Sequence, residues 1–154
     1  MAFDNSTKGM LHVNGTSAAG VAGTTEQTLM TYSLPAKALR RNGQTLKIKG
    51  WATTGANGNN KTFKLYFGST SQSTGVITGS GKTVFLELDV IRLSDATATV
   101  LGSGQQDATS LAAVNTANTD DLTAAVTIKL TGEGGTSGVD CIAKGLTVEM
   151  GQEP

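Results

Sequence analysis

The chain has 154 residues, the length of one domain, and 12 basic residues against 12 acidic ones leave no formal net charge. That balance removes the electrostatic footprint of a nucleic-acid binder or of a protein held on an anionic membrane. No apolar run is long enough for a transmembrane helix.

Charged residues are only 16% of the chain, against roughly 25% in soluble domains. Such a sparsely charged surface does little to keep copies apart, so much of it is expected to be covered in an assembly. Residues 1–20 contain Asp4, Lys8 and His12 but no uninterrupted apolar region, so no secretory signal is expected. One cysteine, Cys141, forbids an internal disulfide and fits synthesis in a reducing cytoplasm.

In chain order, residues 1–24 are rich in Gly, Ala, Ser and Thr. They are expected to form an N-terminal arm that orders against a partner, ahead of a β-sandwich domain over 25–154. Short strands are expected at 10–14 and 28–34, the second ended by Pro35. The clearest strand is 45–54, where Leu46, Ile48, Gly50 and Ala52 alternate with Thr45, Lys47, Lys49 and Trp51. A strand at 61–68 alternates Phe63, Leu65 and Phe67 with Thr62, Lys64 and Tyr66. A longer one at 82–93 puts Val84, Leu86, Leu88 and Val90 on one face.

Shorter runs follow at 75–78, 97–101 and 109–114, the last also readable as a helical turn. A strand over 122–130 would point Leu122, Ala124, Val126, Ile128 and Leu130 inward, and a final one Leu146, Val148 and Met150. Period two over such lengths marks strands with one buried face. Turn residues separate them at Asn42-Gly43, Asn57-Gly58-Asn59-Asn60, Gly79-Ser80-Gly81 and Gly132-Glu133-Gly134-Gly135. Eight to ten strands in this length predict an all-β antiparallel sandwich of jelly-roll type.

Candidate chemistry fails on spacing. Gly79-Ser80-Gly81-Lys82-Thr83 resembles the end of a phosphate-binding loop, but the earlier glycine that motif needs would stand at Val76, and a strand follows instead of a helix. Gly102-Ser103-Gly104 has Asp107 where the dinucleotide fingerprint needs glycine and is expected to be a turn. His12 and Cys141 are the only histidine and the only cysteine, so a Cys–His dyad would have to be brought together by the fold. A packed Cys141 is the simpler reading. One His and one Cys also leave zinc short of ligands.

Glu87 and Asp89 share a strand face as a paired-carboxylate candidate, though a solvated face or subunit contact explains them more simply. Asp120-Asp121 reads as a solvated turn, without the oxygen-ligand loop that calcium needs. No catalytic, cofactor or metal residues are therefore assigned.

The outward sets carry apolar residues as well. Trp51, Tyr66, Phe85, Ile91 and Leu93 all lie opposite the predicted core. Apolar residues on both faces imply that both faces are covered somewhere. These five are the predicted subunit or capsid contacts.

The stretch Thr28-Leu29-Met30-Thr31-Tyr32-Ser33-Leu34-Pro35-Ala36-Lys37-Ala38-Leu39 resembles a strand-and-turn signature of small virion proteins of tailed bacteriophages. The Asn-rich turn 57–60, then Lys61-Thr62 and alternation ending in Phe67-Gly68, continues it. The resemblance covers roughly residues 26–150 as an ordered succession of strand patterns. It implies a jelly-roll protein of the phage head or tail, assembled in the host cytoplasm and without catalytic residues or cofactors. A capsid decoration (cement) subunit would be a homotrimer bridging the major capsid protein, with no nucleic acid or membrane as partner. The alternative is a head-fibre or tail component whose exposed aromatics, Trp51 or Tyr66, meet a host glycan.

Overall fold

The computed structural model describes residues 9–16, 18–21, 23–135 and 139–151. Twelve strands are named among them: β1 (Gly9–Asn14), β2 (Ala18–Val21), β3 (Gln27–Leu34), β4 (Thr45–Thr54), β5 (Thr62–Phe67), β6 (Thr70–Ser73), β7 (Thr83–Ser94), β8 (Thr97–Gln106), β9 (Thr109–Ser110), β10 (Val114–Asn118), β11 (Val126–Glu133) and β12 (Cys141–Met150). They form two antiparallel sheets packed as a sandwich. The larger runs β1-β12-β4-β7-β8-β10, with β2 beside β12 and β9 beside β8; the smaller runs β3-β11-β5-β6.

Setting aside β2 and the insertion β8–β10, the pairing has a simple rule. The first strand pairs with the last (β1 with β12), the second with the next to last (β3 with β11), then β4 with β7 and β5 with β6. A long hairpin rolled up on itself in this way is the jelly roll. Strands β8 and β10 widen the larger sheet beyond β7.

Alternation explains why these segments are strands. Along β4 the burial pattern is strictly half-buried then buried, and β5 repeats it. Leu46, Ile48, Phe63, Leu65, Phe67, Leu86, Leu88, Val90, Val126, Ile128 and Val148 are all buried in one cluster, as the period-two reading requires. Cys141 joins them.

Several boundaries differ from the sequence reading. The strand expected from 122 begins at Val126. Leu122 is buried but lies in a loop, where the Asp121 carboxylate accepts hydrogen bonds from the Thr123 N–H and hydroxyl and turns the chain. Segment 75–78 forms only an isolated bridge, Lys61 to Ile77. Segment 109–114 contains the two-residue β9 and the first residue of β10, with no helical turn.

Gly102-Ser103-Gly104 lies inside β8 and is not a turn. A side chain at Gly104 would stand 2.8 Å from both the Phe85 carbonyl oxygen and Leu86, and at Gly102 2.4 Å from the Gln72 side chain. These glycines let the inner face of β8 close on its neighbours. Gly132 and Glu133 likewise belong to β11, so the turn starts later than expected. Of the segment read as an arm, β1 and β2 both pair with β12, while residues 1–8 lie outside the described residues.

Leu88 is fully buried at the centre of β7. Leu88→Ala is expected to cost about 2–5 kcal/mol through lost transfer and the cavity left behind. Leu88→Asp should abolish folding by burying an unpaired charge. Chemical denaturation followed by circular dichroism checks both, and wild-type stability of the aspartate variant would disprove the assigned register.

Candidate interaction surfaces

The chemical candidates come apart once the fold is in place. His12 pairs with Val148 on β12, whereas Cys141 pairs with Thr54 seven residues earlier along the same strand. At roughly 3.3 Å per residue the two are roughly 23 Å apart, so no dyad forms. The Cys141 thiol donates to the Glu133 carbonyl oxygen. Burial, with the Asp140 charge adding to it, pushes its pKa up to about 11, which leaves it unreactive at neutral pH. The His12 ring stacks on Tyr32 of β3, centroids 4.7 Å apart, and closes the open edge of the sandwich.

Lys82 of the loop resembling a phosphate site is engaged by Asp107 at 3.0 Å, and the chain runs on into β7. Glu87 and Asp89 are bridged by Lys47, at 3.4 and 3.3 Å, with Lys49 3.9 Å from Glu87. They form a cross-strand charge ladder at the middle of the outer face. Asp120 accepts from Ser69 N and from Asn118 Nδ2, which ties the 119–125 loop to the β5–β6 turn. Among the described residues no group of three or more His, Cys, Asp or Glu side chains could hold a metal ion.

The five predicted contact residues separate onto two surfaces. Trp51, Phe85, Ile91 and Leu93 belong to the outer face of the larger sheet. Trp51 and Phe85 stand opposite one another on β4 and β7, ring centroids 5.7 Å apart. Next to them in register on β8 is Gln105. Ile91 faces Thr45 and Thr99 at the other end of the strands, and Leu93 is 52% exposed. Leu101, missed in the sequence reading, is 40% exposed opposite Asp89. Its alternation with Val100 and Ala98 was the available signal.

Tyr66 is on the smaller sheet. The Lys129 ammonium lies 4.7 Å over its ring, and beside it Glu26 accepts from Lys64 at 2.6 Å and from the Thr131 hydroxyl at 2.8 Å. Partial burial would raise the Glu26 carboxyl, but the hydrogen bonds from Lys64, Thr131 and Tyr66 outweigh it and hold the group below its ordinary 4.5.

One end of the sandwich is locked by a buried cation. The Lys61 ammonium donates to three backbone carbonyl oxygens, Asn57 at 2.6 Å, Asn59 at 2.8 Å and Gly79 at 3.2 Å. Asp140, also buried, accepts from Asn57 Nδ2 at 2.6 Å, Asn59 Nδ2 at 3.2 Å and Gly135 N at 2.6 Å. The Asn-rich turn and the Lys-Thr that follows it are thus a device for closing this end. All three donors of the ammonium are satisfied, which is what permits its burial.

Two outcomes follow. Lys61→Met should cost about 2–4 kcal/mol by taking the ammonium from three carbonyls of half-buried residues. It should also speed amide exchange at the Asn59 and Lys61 end before the strands open, and unchanged exchange there would refute the lock. Glu26→Gln should weaken the fold at neutral pH. Because the folded-state carboxyl is lowered, its contribution is present above the ordinary carboxylate range and lost as pH falls below 4.5 and through the folded value. Thermal melts of both proteins should therefore differ at pH 7 and converge in acid; a difference that grows in acid would reverse the sign.

No family model matches the sequence, and no curated protein matches it. Among solved structures the chain is similar to the CBM2 module of the evolved Dit of Lactobacillus casei BL23 phage J-1, at 10% identity and a TM-score of 0.46 over 90% of this chain and 78% of that one. It is similar to peanut lectin bound to a nine-residue peptide, at 10% identity and a TM-score of 0.46 over 100% of this chain and 95% of that one. It is also similar to a chain of the Gt strain of infectious bursal disease virus, at 14% identity and a TM-score of 0.40. That match covers 97% of this chain and 34% of the viral one, so this chain spans about a third of it.

Proposed function

We propose that this chain is a structural virion protein: a capsid decoration or cement subunit. It sits outside a phage head as a trimer at the symmetry axes and bridges neighbouring copies of the major capsid protein. The observation that supports the reading is the second apolar surface of the larger sheet. The inner face of that sheet is spent on the core, yet Trp51, Phe85, Ile91, Leu93 and Leu101 stand on the other side. Covering such residues across several subunits gains about 25 cal/mol per Å² of apolar surface removed from water. Cyclic symmetry repeats the gain at every contact. The subunit works by contact area, with no bond chemistry and no cofactor, and opposes the outward force of packaged DNA.

A second reading has one observation in its favour. The Trp51–Phe85 pair, with the Gln105 amide beside it, offers an aromatic platform and a polar edge of the kind that receives a sugar ring. The chain would then be a head-fibre or tail component that binds a host-surface glycan.

Mixing purified protein with heads that lack it and counting bound copies tests the first reading. Hundreds of copies per head, with heads more resistant to heat, are expected. The variant Leu93→Lys/Leu101→Lys, at the two exposed apolar positions of this face, should melt within a few degrees of wild type and bind at least about tenfold fewer copies, since charge on an exposed strand face is tolerated in the free protein but not beneath a contact. Undiminished binding of that variant would remove this face from the interface. Wild-type protein that ignores heads but binds a glycan array through Trp51 would establish the second reading.

A further inference from the structure

Residues 35–40, the loop between β3 and β4, end the sandwich opposite the Lys61 lock. Almost every other basic residue described is engaged. Lys47, Lys49, Lys64, Lys82 and Arg92 pair with carboxylates, Lys61 is held by carbonyls, Lys129 lies over Tyr66, and Arg41 and Lys144 have partners of their own. Among the described residues only Lys37 and Arg40 have side chains without one, and the two line the same pair of clefts. One cleft, of about 530 Å³, is completed by Ala36, Leu39, Leu122, Thr123 and Asp95, whose carboxylate is taken by Arg92; the other by Leu11, Tyr32 and Met150. Two free cations therefore stand on a ridge between a mixed cleft, with the Asp95 carboxylate in its wall, and a more apolar one.

The backbone gives an independent reason to see these cations as placed. The Ala38 N–H donates to the Pro35 carbonyl oxygen at 3.1 Å, closing a β-turn whose third residue is Lys37 at φ 58°. That position suits glycine or asparagine, and an unbranched side chain there carries strain. The turn is braced from below: the Gln44 side-chain oxygen accepts from Arg40 N at 2.6 Å and from Arg41 N at 3.3 Å. A lysine in a left-handed turn on a braced loop points to a requirement for its charge.

We propose that the ridge of Lys37 and Arg40 docks an acidic segment of the shell protein, whose carboxylates meet the two cations while a flanking apolar side chain enters the cleft of Leu11, Tyr32 and Met150. Charge complementarity selects this occupant: the ridge offers two unneutralised positive charges, and the more apolar cleft of Leu11, Tyr32 and Met150 beside it suits a segment that alternates acidic and apolar residues. The inference deepens the decoration reading and rests on it for the identity of the partner.

The test uses the full chain, labelled for NMR, and a short peptide of alternating glutamate and leucine as probe. The amides of Ala36, Lys37, Arg40 and Leu122 should shift on titration, and the variant Lys37→Gly/Arg40→Gln should lose the response. Glycine at 37 also relieves the turn, so this variant should fold at least as well as wild type. On heads, the variant should bind roughly three- to tenfold more weakly, and wild-type binding should fall with salt towards it. Lys144→Gln, which removes a lysine on β12 away from the ridge, should change neither result. Absent shifts, identical shifts in the double variant, or duplex DNA moving the same amides at lower concentration would each overturn the proposal. Wild-type protein that ignores heads while its loop still responds to the peptide would defeat the decoration reading and leave the acidic-segment surface supported.

Discussion

The register of β4 is the constraint on which the sandwich rests. It lies between β12 and β7 in the larger sheet, and every second side chain from Leu46 to Thr54 is buried. Side chains alternate strictly along a strand, so a slip of one residue would push Lys47, Lys49 and Trp51 into the core and expose Leu46 and Ile48. The same alternation holds β7, whose Leu86, Leu88 and Val90 pair with Gly50, Ile48 and Leu46. Gly50 makes room in this layer for Leu65 and Leu130 of the opposite sheet, each 3.3 Å from where a β-carbon would sit. Core packing and outer-face chemistry are therefore set together: whatever fixes Leu46 and Ile48 inward fixes Trp51 and Phe85 outward.

Polar groups close the ends that alternation cannot. At one end the Lys61 ammonium and the Asp140 carboxylate satisfy backbone and amide groups from loops that no strand pairing reaches. At the other, the buried Arg92 donates outward to the exposed Asn42 and Asp95, and the Gln44 oxygen holds two backbone N–H groups of the neighbouring loop. Burying such groups is costly unless each donor finds an acceptor, and that requirement makes the end loops definite in shape. A definite loop can then carry exposed charge at a fixed place, which a floppy one could not.

The long strands were legible because their alternation runs for six or more residues and ends in Gly, Asn or Pro. Polar strands were not. Strand β6 reads Thr-Ser-Gln-Ser and β10 reads Val-Asn-Thr-Ala-Asn, without an apolar face to mark them. They are strands because β5 and β8 offer them hydrogen-bonding edges, a tertiary cause that local sequence does not record. The opposite error came at Leu122, where alternation continued on paper but Asp121 had already turned the chain. Glycine misled at 102–104 for a related reason: the residue that serves a turn also serves a close strand contact. Of the surface, the outward residues were legible by parity alone. The roles proposed for Lys37 and Arg40 were not, since they depend on a left-handed backbone and on every other described cation's having found a partner.

The net charge of zero thus conceals an uneven distribution. On both outer faces lysines pair with carboxylates, as in Lys47 with Glu87 and Asp89 or Lys64 with Glu26. Exposed pairs of this kind add little stability, but they leave a face without net charge. Such a face sets up little long-range repulsion against a like copy or a neutral shell, and on the proposed reading its grip would come from the apolar residues around the pairs. Among the described residues the two basic side chains without a partner sit in one end loop, where on the proposed reading they would steer and orient more than they would bind. On the proposed reading, adhesion by the sheet and orientation by the loop are separable tasks. The fold keeps them on different elements, so a change in the loop can alter which partner is met without disturbing the register that holds the sandwich together.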